Sequence, residues 1–287
     1  MPVSLIFTIR PLAAAEKPAS LGRAAHAAIL RLIGDSDPAL ATRLHDDDGP
    51  KPLTVSNVIG LEARQHMARV YPDRRYRLRV TLLTPALEAI AAAWRPAALA
   101  PLDLDGLLWR IEQITDNPGD DPWAGRAAYE ELATALLARH ATSARWTFEF
   151  ATPVTFRQRG LNQPLPLPAL TFGSLLERWN AFAPIALPDE TRRFAEECIA
   201  VSRFELRSRS DPTKGGAPQI GAIGRVTYAA VNRDRYWLAC IDALAHFTLF
   251  SGIGAGVARG YGQARLLDDD HTGARPHTTG QPDGLSA

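Results

Sequence analysis

The sequence predicts an α+β chain made of two tandem ferredoxin-like (RRM-like, split βαβ) domains, and three observations carry that reading. Apolar and polar residues alternate at 3–10 and 74–84, as half-buried strands do, with alanine-rich runs between them. The resulting order of strand, helix, strand, strand, helix, strand over residues 1–116 recurs over 145–268. A stretch with five glycines, 252–262, falls between the last helix and the last strand of the second set.

In the first strand Val3, Leu5, Phe7 and Ile9 share a face, although Ile6 blurs the pattern, and Pro11 ends it. Residues 21–33 are rich in alanine and leucine and read as a helix broken at Gly34, with His26 on it. A second helix starts at Pro38, its first helical position, behind Asp37 as N-cap, and places His45 at its C-terminal end. Asp46, Asp47 and Asp48 follow, Gly49-Pro50-Lys51 turns the chain, and 53–59 reads as a strand. In the strand at 74–84, Tyr76, Leu78, Val80 and Leu82 face one way and Arg75, Arg77, Arg79 and Thr81 the other. A helix at 86–94 and strand character at 104–115 close the first domain.

Residues 117–144 read as a linker followed by a bridging helix at 123–140. The second domain opens with a strand at 145–158 that carries Trp146, Phe148, Phe150 and Phe156, and a proline-broken stretch leads into a helix at 171–182. Extended runs at 199–210 and 219–230 flank a hairpin tip that bears Lys214. A helix at 235–250, the glycine stretch and a strand at 263–267 follow, and 269–287 has the composition of a disordered tail.

Composition narrows the function classes. With 46% apolar residues, 22% charged residues and a net charge of +1, the chain can bury a sizeable core but has no overall basic coat, so polyanion binding must come from local patches. Two such patches are present: Arg74, Arg75, Arg77 and Arg79 in one domain, and Arg207, Arg209 and Lys214 in the other. Cys198 and Cys240 make neither a disulfide framework nor a zinc pattern, and there is neither a signal-peptide signature nor a long apolar run, so a cytoplasmic protein without membrane attachment is expected. No clustered metal-ligand spacing occurs, and neither a metal nor a cofactor is expected.

The stretch Gly252-Ile253-Gly254-Ala255-Gly256-Val257-Ala258-Arg259-Gly260-Tyr261-Gly262 admits two readings. Its backbone N–H groups and Arg259 can cradle a phosphate, or its glycines allow a tight crossover that serves packing alone. No Gly-Lys-Ser/Thr follows, which disfavours a nucleoside-triphosphate loop. His45 and Lys51, on either side of one acidic turn, are either a proton-transfer pair or a surface loop with an incidental histidine.

Taken together, these motifs resemble the CRISPR repeat-processing endoribonucleases of the RAMP superfamily. Residues 252–262 match that family's signature of Gly-hydrophobic-Gly, five residues with a basic one, and Gly-hydrophobic-Gly; 220–228, 152–157 and the segment from Pro38 to Ser56 are similar to further family segments. The resemblance implies metal-independent cleavage of CRISPR repeat RNA by 2′-hydroxyl attack, leaving 2′,3′-cyclic phosphate and 5′-hydroxyl ends. It makes His45 the candidate general acid or base and Lys51 the candidate for stabilising the phosphorane or assisting proton transfer. Where some members carry a catalytic tyrosine in the first helix this chain has Leu30, and His26, one turn earlier, is the nearest ionisable group. Gly252, Gly254, Gly256, Arg259, Gly260 and Gly262 would join the arginine patches and Lys214 in holding RNA. Related RAMP proteins only hold RNA inside an effector complex, which is the alternative function; association with such a complex and a homodimer are both compatible with the resemblance.

Overall fold

A computed structural model of the chain describes residues 1–64, 66–134, 143–213 and 216–267. The first half contains β1 (Val3–Pro11), β2 (Ala15–Pro18), α1 (Gly22–Gly34), α2 (Pro38–Asp46), β3 (Leu53–Val55), β4 (Ala63–Arg64), β5 (Met67–Val70) and β6 (Tyr76–Leu82). It continues with α3 (Pro85–Ala92), β7 (Leu102–Leu104), β8 (Leu107–Thr115) and β9 (Gly125–Arg126). Its main sheet runs β3-β6-β1-β8-β7 with β9 also paired to β1, while β2, β5 and β4 form a separate small sheet.

One face of the main sheet, with Leu5, Phe7, Ile9, Leu78 and Val80, packs on Ala25, Ile29 and Ile33 of α1 in a single apolar cluster. The other face is buried too, with Ser4, Ile6, Thr54, Arg79 and Thr81 all at 2% exposure or less. Ile6 breaks the alternation because β1 has no solvent face: a helix of the second half covers that side.

The second half comprises α4 (Tyr129–Leu132), β10 (Arg145–Val154), β11 (Phe156–Gln158), β12 (Leu161–Gln163), α5 (Pro168–Phe182), α6 (Glu190–Cys198), β13 (Ile199–Thr213), β14 (Gly216–Ala230), α7 (Arg235–Ser251) and β15 (Ala264–Leu267). Its sheet order is β13-β14-β10-β15, all antiparallel neighbours. Trp146, Phe148, Phe150, Phe172, Trp179, Tyr228 and Phe247 form the core of this half, with edge-to-face ring pairs such as Phe172–Tyr228 at 5.3 Å. The architecture is two-domain α+β.

Among the differences from expectation, three concern the helices and the strand beside the glycine stretch. The helix expected from residue 123 starts only at Tyr129, because Trp123 sits beneath the guanidinium groups of Arg79 and Arg265 and the chain then runs extended through β9; residues 135–142 lie outside the described set. Helix α6, unanticipated, buries Thr191, Phe194 and Ala195 at helical spacing. The strand expected over 53–59 stops at Val55, whose carbonyl accepts from the Gly260 N–H at 2.9 Å, and Ser56 bridges to Gly260.

Candidate active site

The glycine stretch lies between the two domains, and its backbone is committed to packing. The five glycines Gly252, Gly254, Gly256, Gly260 and Gly262 all have positive φ, from 63° to 95°. Gly254 and Gly262 show why no side chain is accepted: a Cβ on either would run into a backbone carbonyl, of Thr155 and Ile253 respectively. Most of the N–H groups expected to cradle phosphate already have partners. Ile253 donates to Gly262 O at 2.9 Å, Ala255 to Thr155 O at 2.8 Å, Gly260 to Val55 O at 2.9 Å and Gly262 to Pro153 O at 3.0 Å, and Gly254 donates to Ser174 Oγ at 2.9 Å. The open cradle is therefore not what this spacing builds; the exposed side chain of Arg259, in a helical turn at Val257–Arg259, is what the loop offers to a ligand.

That loop docks against the start of α1. Gly22 faces the Arg259 carbonyl so closely that a Cβ there would lie 2.9 Å from Gly260 Cα. Asn57, which no sequence motif singles out, clamps the same corner: its Oδ1 accepts from Leu21 N and its Nδ2 donates to Ala19 O, both at 2.6 Å. An asparagine just after a strand and facing a helix start is the signal that could have found it.

One turn along α1 stands His26, half-buried, with an Nδ1 that is fully buried and unpartnered. Burial, followed by the positive fields of Arg259, Lys51 and His45, lowers its pKa from 6.5 to about 4. His26, His45, Lys51 and Arg259, spread from residue 26 to residue 259, thus share one electrostatic neighbourhood.

Helix α2 places His45. Asp37 accepts from Leu40 N at 2.8 Å and Pro38 occupies the first turn, as its sequence requires. His45 is exposed in the last turn. Lys51 Nζ donates to Leu44 O at 2.8 Å and to Asp47 O, so the lysine satisfies carbonyls at the helix end that carries His45.

The arginines of β6 and the turn before it divide. Arg74 pairs with Glu62 at 3.0 Å, Arg75 with Glu112 at 2.8 Å and Arg77 with Asp121, all three arginines being exposed. Arg79 is 1% exposed and leaves the RNA-facing set. Its Nε donates to Ser4 Oγ at 2.9 Å, its Nη1 to Gln263 Oε1 at 2.6 Å and its Nη2 to Leu249 O, and burial lowers its pKa to about 9. Arg207 and Arg209 lie exposed on β13, while Lys214 falls outside the described residues. Among the described residues, no three His, Cys, Asp or Glu side chains gather as a metal site, and no helix is long and apolar enough to cross a membrane.

Comparison with known proteins adds the family. The model of the CRISPR Cas6 N-terminal domain matches residues 1–134, and that of CRISPR-associated endoribonuclease Cas6 matches residues 148–264. A CRISPR-associated endoribonuclease Cas6 of Mycobacterium tuberculosis is 31% identical over 137 residues, 47% of this chain and 43% of that protein, so the match spans less than half of the relative's length. Among solved structures, one Cas6 product complex superposes with a TM-score of 0.75 at 26% identity over 93% of this chain and 100% of its own. A second gives 0.73 at 25% over 93% and 99%, and Cas6 of Thermus thermophilus gives 0.70 at 25% over 93% and 98%. With both family domains matched in order and the whole described fold shared, this chain belongs to the Cas6 family of CRISPR-associated endoribonucleases.

Proposed function

We propose that the protein is a metal-independent endoribonuclease that cuts CRISPR precursor RNA within its repeats. The convergence of His26, His45, Lys51 and Arg259 where α1, the end of α2 and the glycine loop meet is the observation that carries this reading. Both domains are ferredoxin-like, over 1–116 and 145–268, a reading supported by the matching sheet orders β3-β6-β1-β8 and β13-β14-β10-β15.

The 2′-hydroxyl beside the scissile phosphate loses its proton and attacks phosphorus. The bond from phosphorus to the 5′-oxygen breaks, and that oxygen takes up a proton, leaving a 2′,3′-cyclic phosphate and a 5′-hydroxyl. His45 exchanges one of these protons, and its exposure gives RNA access to it. His26, uncharged at neutral pH, is the second group within reach of the same field. Lys51 keeps one of its three N–H donors beyond the two given to helix carbonyls, and that donor meets the oxygens of the phosphorane. Arg259 and the exposed arginines Arg74, Arg75, Arg77, Arg207 and Arg209, together with Lys214, contact RNA phosphates; surface pairs such as Arg74–Glu62 are weak enough for RNA to displace.

Incubation with repeat RNA in EDTA tests the reaction. Site-specific cleavage to a cyclic-phosphate end is expected, and the His45→Ala protein should cut about 10²–10⁴-fold more slowly in single turnover. Tight binding without cleavage by the wild type would instead identify a subunit that only holds RNA.

A further inference from the structure

A second basic site is lined by neither His26 nor Arg259. A cavity of about 450 Å³ is lined by Arg157 of β11, Arg178 of α5 and Arg192 of α6, and on its opposite wall by Gly49 and Pro50. That wall is the turn between His45 and Lys51. Gly254 of the glycine loop closes the rim.

Arg178 is the unusual member. Its Nη2 donates to Gly254 O at 3.2 Å, but its Nη1 is fully buried with no hydrogen-bond partner. A buried donor left unmet is costly, more so when it carries charge, and it calls for a partner such as a bound anion. Burial also lowers the Arg178 pKa to about 10, with Glu177 acting in the opposite sense. Among the described residues, none pairs ionically with Arg157, Arg178 or Arg192, although Asp48 and Glu177 also line the cavity. The Arg192 guanidinium lies across α5 at Gly173, where any side chain would collide with it. The volume lies within the range of ligand pockets, about 300–1,000 Å³.

We infer that this cavity is a phosphodiester-binding subsite, in which the guanidinium groups of Arg157, Arg178 and Arg192 hold a backbone phosphate of the RNA strand beside the turn that carries His45 and Lys51. The inference rests on the reading of the protein as an RNA-cleaving enzyme. Planar guanidinium groups suit phosphate oxygens through paired N–H donors. A strand fixed here is held against the turn whose two ends bear the proton-transfer group and the cation, so the subsite sets the register of the strand at the cut.

The test is binding of repeat RNA carrying a 2′-deoxy nucleotide at the cleavage position, measured as a function of salt. In the Arg157→Gln/Arg192→Gln protein and separately in Arg178→Met, affinity should fall about tenfold for each arginine–phosphate pair removed, the equivalent of about 1.4 kcal/mol. The slope of log affinity against log salt should shrink by about 0.7 for each phosphate no longer neutralised. Arg178→Lys keeps the charge and should retain the slope, which separates phosphate binding from mere absence of the bond to Gly254. Both exposed arginines can be changed without touching the core, so the double variant decides the matter if Arg178→Met fails to fold. Wild-type slopes in the variants would overturn the subsite and leave the enzyme reading intact. No cleavage or binding of repeat RNA by the wild type would overturn both.

Discussion

At neutral pH the His26 imidazole is uncharged, because burial and then the fields of Arg259, Lys51 and His45 hold its pKa near 4 in place of 6.5. Between those two values the unfolded chain binds a proton that the folded chain refuses. Stability is therefore unaffected by this group above pH 6.5 and falls as the pH drops toward 4. At 1.36 kcal/mol per unit the loss is bounded at about 3 kcal/mol. Urea midpoints at about pH 7 and about pH 5 should differ less in His26→Gln than in the wild type, and an equal difference in the two proteins would contradict the buried neutral imidazole. Gly262 makes a conformational demand at the same scale. Its φ of 66° and its closeness to the Ile253 carbonyl imply that Gly262→Ala costs about 2–4 kcal/mol, read as a lowered thermal midpoint.

Helix α2 joins structure to chemistry through its C-terminus. Lys51 both satisfies the helix-end carbonyls of Leu44 and Asp47 and sits in the electrostatic neighbourhood of His26. Lys51→Met should cost about 1 kcal/mol of stability and also slow cleavage at saturating RNA; a variant that is destabilised but cuts at the wild-type rate would leave Lys51 a cap alone. Much of this element is legible in the sequence: Asp37-Pro38 marks its start, and β6 and α7 announce themselves by period. Arg79 defeats the same pattern, because alternation says which face a residue takes and not whether that face meets solvent. The glycine spacing marks the loop correctly, but spacing cannot tell that the N–H groups of Gly254, Gly260 and Gly262 find partners in distant parts of the chain. The gathering of His26 with Arg259 depends on that docking, which no local pattern records. Helix α6 escapes notice in the sequence although Thr191, Phe194 and Ala195 sit among charges at helical spacing.

At the scale of the molecule, the contact between the two domains is polar and buried, with Arg79 at its centre. From β6 it reaches Ser4 in its own sheet, Leu249 in α7 and Gln263 beyond the glycine loop. Thr54 and Thr81 extend the network: their hydroxyls lie 2.7 Å apart, and Thr81 Oγ1 donates to Phe250 O at 2.5 Å. Such a contact fixes orientation, since its hydrogen bonds hold only over a narrow range of distance and angle, whereas an apolar seam would tolerate sliding. The arrangement of His45 on one domain and Arg259 on the other depends on that orientation. Arg79→Met should leave Gln263 Oε1 and the Leu249 carbonyl without this donor, costing about 2–5 kcal/mol. It should also loosen the coupling of the domains, so that calorimetry shows a broadened or split transition where the wild type shows one. Because Arg79 is buried, its removal should leave the salt slope of RNA binding unchanged, while Arg259→Gln should lower that slope by about 0.7 with little change in the melting transition. A reversal of the two patterns would return Arg79 to the RNA surface and make Arg259 the residue that holds the domains together.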